Sequence, residues 1–268
     1  MNMHVNDSLG NRMKDNYENI TRYKLVRRMP VIIRLDMRAG HTFTRGMKRP
    51  YDMIFKESMW ATACALCEQI QNVQLAYVQS DEISLLLIDY KKLTTSQWFD
   101  GTVQKMASVS AAIATIEFNK AYMHNILIQN LTDDEINFYS SKINGMTFDS
   151  RVFNIPESEV CNYFYWRQLD ATRNSIQSAG QYYFSQKELH KVDCNHIQEK
   201  LMTEKNVNWN DYPTFFKRGV CTIKEEYTEK DTQGKNILRS RWVIDKEIPI
   251  FSKDRNYIEK YLIRADDT

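Results

Sequence analysis

Neither sign of charge dominates this chain: 36 lysines and arginines face 34 aspartates and glutamates, a formal charge of +2. A protein that coats nucleic acid over its whole surface carries a far stronger basic balance. That class is excluded, and any nucleic-acid partner has to meet basic residues gathered on one face. Long hydrophobic runs are missing too. Nothing approaches the roughly 18 apolar residues of a membrane span, and the opening MNMHVNDSLGNRMKDNYE has no apolar segment of the secretory kind. No membrane contact and a cytoplasmic location are therefore expected. Cysteine is scarce and odd in number, with five spread over positions 64, 67, 161, 194 and 221. Such spacing gives no disulfide framework, so reduced thiols are the expectation. Cys64 and Cys67 have C-x-x-C spacing inside WATACALCEQI, yet no second Cys or His pair follows at zinc spacing. The segment reads as one helix with both thiols in its packing. Repeats and low-complexity tracts are absent.

What is present suits a sizeable core: 268 residues, 43% hydrophobic and 26% charged. That is enough for one large domain or a core with an appended part. Residues 7–28 read as a charged, weakly amphipathic helix. MPVIIRLD (29–36) reads as a buried strand ending at Asp36, followed by a loop, MRAGHTFTRGMKRP (37–50), with four basic residues. Pro50 and Asp52 introduce a helix over 51–71. Residues 72–89 read as two strands with a tight turn at Ser80-Asp81-Glu82, and 95–122 as a helix rich in small residues. HNILIQN and FDSRVFNIP suggest short strands. From 157 to about 205 the pattern is helical, broken near Gly180 and restarted by SQKEL, where Ser185 caps toward Glu188. FFKRGVCTIKEEY and SRWVIDKEIPIF alternate like a hairpin around a polar loop at 229–238. The whole is an α+β arrangement on a mostly antiparallel sheet.

VQSDEISLLL (78–87) sets Asp81 and Glu82 between flanks that read as buried strand. Ionised carboxylates avoid such surroundings unless something positive pairs with them. Asp36 ends the preceding strand. If the strands are neighbours, two carboxylates converge on one sheet edge, where a hard divalent cation answers their repulsion. Two such ions can clamp an in-line phosphoryl displacement. Arg38, His41, Arg45, Lys48 and Arg49 leave the same strand end and can neutralise a triphosphate. The plainer alternative is a solvated turn beside a solvated loop. Tyr163, Tyr165, Trp166 and Arg167 either stack a base or belong to the core, core being the more common fate of such a stripe. Lys217 and Arg218 either touch RNA or end a strand in solvent.

IIRLDMRAGHTFTRGMKRPYD together with QSDEISLLL closely resembles the tRNA-His guanylyltransferase family. LGNRMKDNYE, WFDGTVQKMASVSAA, YFYWRQLDATRNSI, FSQKEL and FFKRGV follow in the family's order, from Leu9 to Ile223. The resemblance implies a polymerase-like palm over 1–150, with a helical and hairpin part over 151–268 completing the catalytic unit. It implies two Mg2+ ions, ATP and GTP as substrates, tRNA as partner and a homotetramer. The chemistry implied is 3′–5′ nucleotide addition: a 5′-monophosphate is adenylylated, the 3′-hydroxyl of an incoming nucleotide expels AMP, and pyrophosphate is removed. By the same resemblance Asp36 and Asp81 are the metal-binding aspartates, with the Met37 carbonyl as a further ligand, and Glu82 joins them in catalysis. Nucleotide binding falls to Asp36, Met37, Arg38, Ala39, Gly40, His41, Arg49, Ser80, Asp81, Lys105 and Asn174.

Three positions depart from the family pattern. Met37 stands where a glycine usually offers its carbonyl to metal, which a methionine can do only if the backbone there avoids positive φ. Gly40 replaces a usual Phe, so a reshaped loop is expected. Thr172 stands where eukaryotic members have His, and the surrounding pattern is similar to bacterial and archaeal-type members, which repair 5′-truncated tRNAs against a template. Two other functions compete: a palm-type nucleotide cyclase, and a tRNA-binding protein whose catalytic loop has decayed.

Overall fold

The computed structural model describes residues 7–143, 145–230 and 234–262. In chain order the elements are α1 (Ser8–Met13), β1 (Val31–Met37), α2 (Gly40–Phe43), α3 (Met53–Gln69), β2 (Val73–Gln79), β3 (Glu82–Leu87) and α4 (Val103–Ile128). They continue with α5 (Asp133–Ser140), β4 (Phe148–Asn154), α6 (Glu157–Tyr183), α7 (Cys194–Lys205), α8 (Thr214–Arg218), β5 (Val220–Lys230), β6 (Asn236–Asp245) and α9 (Asn256–Glu259). The strands form one sheet in the order β4-β1-β3-β2-β5-β6, antiparallel throughout. The expected α+β class with a mostly antiparallel sheet is what the chain adopts.

Period-two alternation explains how the sheet is covered on both faces. Val31, Ile33, Leu35 and Met37 of β1 join Ala76, Val78, Ile83 and Leu85 in a core shared with α3 and α4. Ile32, Leu75, Tyr77 and Leu86 point the other way, into a core closed by α6 and the segment around Phe251 and Ile258. A third cluster, built on Ile176, Ile197, Trp209 and Phe216, joins α6 to α7 and α8. The in-strand charges Arg34, Asp36 and Glu82 fall on the α6 face by the same alternation.

Several local expectations are corrected. The helix over 7–28 stops at Met13 and passes into a π-turn (Lys14–Glu18) and a 3-10 turn (Asn19–Thr21). Leu9, Met13, Tyr17 and Ile20 lie exposed, and without tertiary burial an isolated helix of this length is marginal. HNILIQN forms no strand: α4 runs on to Ile128, because Asn125 donates to Ser58 of α3 at 3.0 Å and Ile126 is buried, while β4 takes the free edge of β1. Gly180 does not break α6. A side chain there would meet Ile197 of α7 at 2.7 Å, so glycine serves close helix packing. Ser185 and Glu188 exchange the expected reciprocal bonds, but they open only a turn, and α7 begins at Cys194 under an Asp193 cap. The C-terminal hairpin forms, preceded by α8 where FFKR suggested strand. Of its polar loop, residues 231–233 lie outside the described residues. All five thiols are free, with Cys64 and Cys67 packed in α3 as expected.

Candidate active site

Asp36 is the last residue but one of β1, in register with Glu82 of β3 on one side and Asp149 of β4 on the other. Gln79 and Glu82 pair across a two-residue turn made of Ser80 and Asp81. Ser80 carries the positive φ, +48°, that such a turn requires at its first position. The Met37 amide donates to the Asp81 carbonyl at 3.1 Å, lacing the end of β1 to the turn. Both aspartates thus reach the same sheet end. Burial, then the charges of Asp81, Glu82 and Asp149, push the Asp36 carboxyl above the usual carboxylate range, against a smaller opposing pull from Arg34. Asp149 is part of this negative cluster and was not anticipated.

The question of what neutralises the Asp-Glu pair has two answers. Glu82, 5% exposed, is gripped by Arg34 at 2.5 Å and by Arg167 at 3.0 Å. Arg167, 3% exposed, also reaches Asp170 at 3.2 Å, and the Trp166 ring stacks on its guanidinium at 3.5 Å. Glu82 is therefore occupied by a buried ion pair joining α6 to the sheet, which revises its expected place beside the aspartates in catalysis. Tyr163 and Arg167 belong to the packed interior, while Trp166 remains 47% exposed. Asp81, in contrast, has no ion-pair partner within 4.0 Å among the described residues. Nor do three His, Cys, Asp or Glu side chains among them form a ready metal cage. Two aspartates and a main-chain carbonyl are hard oxygen donors that fit a magnesium ion, which takes its other ligands from water and phosphate. The repulsion around Asp36, which Arg34 at 3.7 Å offsets only in part, favours such an ion.

Both departures in the loop have physical counterparts. Met37 is not among the described residues with positive φ, and its buried side chain enters the core shared with α3 and α4. Its peptide therefore meets the condition for offering a carbonyl. The left-handed residue is Ala39 instead, at φ 55° and ψ 36°. At Gly40 an added Cβ would lie 2.9 Å from Asp81 Cγ and still closer to its carboxylate oxygen. The Asp81 side chain occupies the space that a side chain at 40 would take. We expect Gly40→Ala to leave the melting temperature nearly unchanged, since a carboxylate tip can rotate away. Turnover should fall roughly 10- to 100-fold if the displaced carboxylate is the metal ligand that the family resemblance implies. A labelled-nucleotide incorporation assay checks this, and wild-type turnover would contradict the placement of Asp81.

Beside the turn opens a cleft of about 700 Å³, counting space continuous with solvent, within the usual size of ligand sites. Arg49, Ser80 and Asn174 line it together, although they come from a loop, a hairpin and α6. The loop is held in place by Lys142, which donates to the carbonyls of Phe43 at 2.7 Å and Arg45 at 3.0 Å. Asp52 anchors its far end, accepting from Phe55 N, Lys48 N and the Tyr139 hydroxyl. Arg38 and His41 are exposed on the same loop. Lys56 also lines the cleft, a residue that no sequence motif singled out. Burial pushes its ammonium down to about 8, with Asp81 opposing.

Lys105 is not brought to this group. It lies in the first turn of α4, its ammonium 4.5 Å from the Phe99 ring centre. Ser110 of α4 bonds Ser150, and Thr115 accepts from Phe148 N, so α4 runs toward the site with increasing residue number and starts at the opposite end of the sheet. Lys217 is likewise committed elsewhere, buried and donating to the Asn210 carbonyl.

The family model described as tRNAHis guanylyltransferase matches residues 10–156. A probable tRNA(His) guanylyltransferase of Dictyostelium discoideum is 24% identical over 236 residues, 82% of this chain and 86% of that protein. A bacterial tRNA(His) guanylyltransferase-like protein solved with ATP superposes with a TM-score of 0.82 at 44% identity, covering 96% of this chain and 99% of that one. Solved with GTP, such a bacterial protein gives 0.77 at 43% identity, with the same coverage. With its paired strand-end aspartates beside a cation-lined cleft, this chain belongs to the tRNAHis guanylyltransferase family and is a nucleotidyltransferase.

Proposed function

We propose that the protein is a magnesium-dependent 3′–5′ nucleotidyltransferase that adds nucleotides to the 5′ end of tRNA, in template-dependent repair or in G addition to tRNA-His. The observation that carries this is the meeting of Asp36 and Asp81 at one sheet end beside a cleft lined by Arg49, Ser80 and Asn174. In this account Asp36, Asp81 and the Met37 carbonyl hold the divalent ions. When bound, the ions supply charge neutralisation of the phosphates and a more acidic attacking hydroxyl. Arg49 and the loop residues 38–41 hold the phosphates of ATP or GTP, while Ser80 and Asn174 orient the nucleotide across the cleft. Arg49 meets a phosphate as a planar fork. ATP and GTP as ligands of the bacterial relative support the nucleotide classes.

The parts 1–150 and 151–268 act as one catalytic unit in this reading, since α6 of the second part supplies Asn174 to a cleft floored by the first. In this reading the protein assembles as a homotetramer, and self-association would cover apolar side chains left exposed on one face of α4, Ile116, Met123 and Leu127. A reducing, cytoplasmic setting is supported by the five free thiols. Among the described residues no helix is long and apolar enough to cross a membrane.

The test is incorporation of labelled ATP and GTP into 5′-truncated tRNAs bearing a monophosphate or a triphosphate. The expected result is templated addition with magnesium and none in excess EDTA. Addition surviving EDTA contradicts the metal assignment. Cyclic product from triphosphate alone would support the cyclase, and RNA binding without turnover the decayed binder.

A further inference from the structure

Among the cations that line the cleft, pairing differs sharply. Lys48 is matched with Glu135 at 3.0 Å. Lys56, near the start of α3, has no carboxylate within 4.0 Å among the described residues. Its side chain is half-buried, and it lines the cleft. A lysine in such a position ordinarily extends its head to open water or finds an ion pair, because enclosing a bare ammonium is costly. Lys56 does neither. The negative group that acts on it is Asp81, the aspartate of the turn. Its neighbours in the lining include Ser80, Gln79 and Asn174, and the buried side-chain oxygen of Gln79 has no hydrogen-bond partner. The cleft thus holds an unmatched positive charge on one wall and an unmatched acceptor beside it, an arrangement completed by an anionic ligand that also carries N–H or O–H donors.

We propose that Lys56 is a further phosphate-binding residue of this cleft, meeting the phosphate chain of a nucleoside triphosphate from the α3 wall. The inference rests on the cleft being the nucleotide site, as proposed above, and adds a contact that no family motif suggests. Before nucleotide arrives, Lys56 is a distant counter-charge to Asp81. The phosphates then give it the close partner that the protein withholds. Burial pushes the ammonium down to about 8, which leaves it mostly charged at neutral pH, and an anion beside it would draw it back up.

Lys56→Met keeps the apolar stem and removes the charge, while Lys56→Arg keeps the charge. ATP and adenosine are titrated into the full chain with magnesium present, by calorimetry. For Lys56→Met we expect ATP to bind about tenfold more weakly, as for loss of one charge-assisted contact, and adenosine to bind unchanged. Lys56→Arg should retain ATP affinity within about threefold. The ligand-free Lys56→Met protein should melt at a slightly higher temperature than wild type, since a half-buried unpaired charge has gone. A purely structural lysine predicts the opposite shift. Equal ATP affinity in wild type and Lys56→Met, or an equal loss for adenosine, overturns the proposal. Arg49→Ala separates the two levels. If it weakens ATP binding while Lys56→Met does not, Lys56 alone is wrong; if wild type binds no ATP, the cleft assignment falls with it.

Discussion

Replacing Asp81 with alanine is expected to abolish nucleotide addition, a fall of at least about a thousandfold, the size of effect seen when a reacting charge loses its main stabiliser. The fold should persist. Asp81 sits in a two-residue turn, has no ion-pair partner among the described residues, and by its charge makes the ionised form of Asp36 less favourable. Removing it relieves a like-charge repulsion at Asp36 but takes from Lys56 its distant counter-charge, so the melting temperature should stay close to that of wild type. Asp81→Asn, which keeps shape and loses charge, should be nearly as inactive. The measurement pairs a rate of labelled-nucleotide incorporation with a thermal melt. Wild-type turnover in either variant would remove the metal assignment, and collapse of the melt would mean that Asp81 is structural.

The second large effect concerns stability. Arg167→Met cuts the buried link between α6 and the sheet, leaving Glu82 with Arg34 alone and Asp170 without its buried partner. Breaking one side of a buried ion pair typically costs about 3–5 kcal/mol. For a protein of this size that corresponds to a melting temperature lower by roughly 10 °C. The double variant Glu82→Met, Arg167→Met should lose less than the sum of the single changes, because the stranded charge is removed with its partner. An unchanged melt for Arg167→Met would show that the pair is solvated in solution. Turnover should fall as well, since the same helix carries Asn174 into the cleft.

The sheet was legible because its strands obey simple alternation: VIIRLDM and EISLLL announce their own faces, and the two-residue turn between β2 and β3 marks itself by Ser-Asp. Arg34 was legible in principle. It stands two residues before Asp36 in a buried strand, so it shares that face and must find an acid. Its partner Glu82 follows only from the antiparallel register of β1 with β3. Asp149 needed the edge pairing of β4, and Lys56 needed the packing of α3 over the hairpin, neither of which periodicity contains. HNILIQN misled because its apolar residues serve equally as the buried side of a helical turn, and only the occupied edge of β1 decides the matter. Lys105 was placed by motif, while its distance from the cleft is set by the direction in which α4 crosses the sheet.

Ala39 and Ser80 both hold backbone angles that side chains resist, and they stand in the two loops that bring Asp36, Gly40 and Asp81 together. Each such residue raises the energy of the native state by about 1 kcal/mol or more. The same two loops hold Asp36 and Asp81 close enough to repel one another. If the site holds a cation as proposed, the ion would offset that repulsion and favour the two loops as they stand. Evolutionary drift toward higher stability is resisted at these two positions, since a variant that lets them slacken gains robustness by giving up the geometry that holds the acids together.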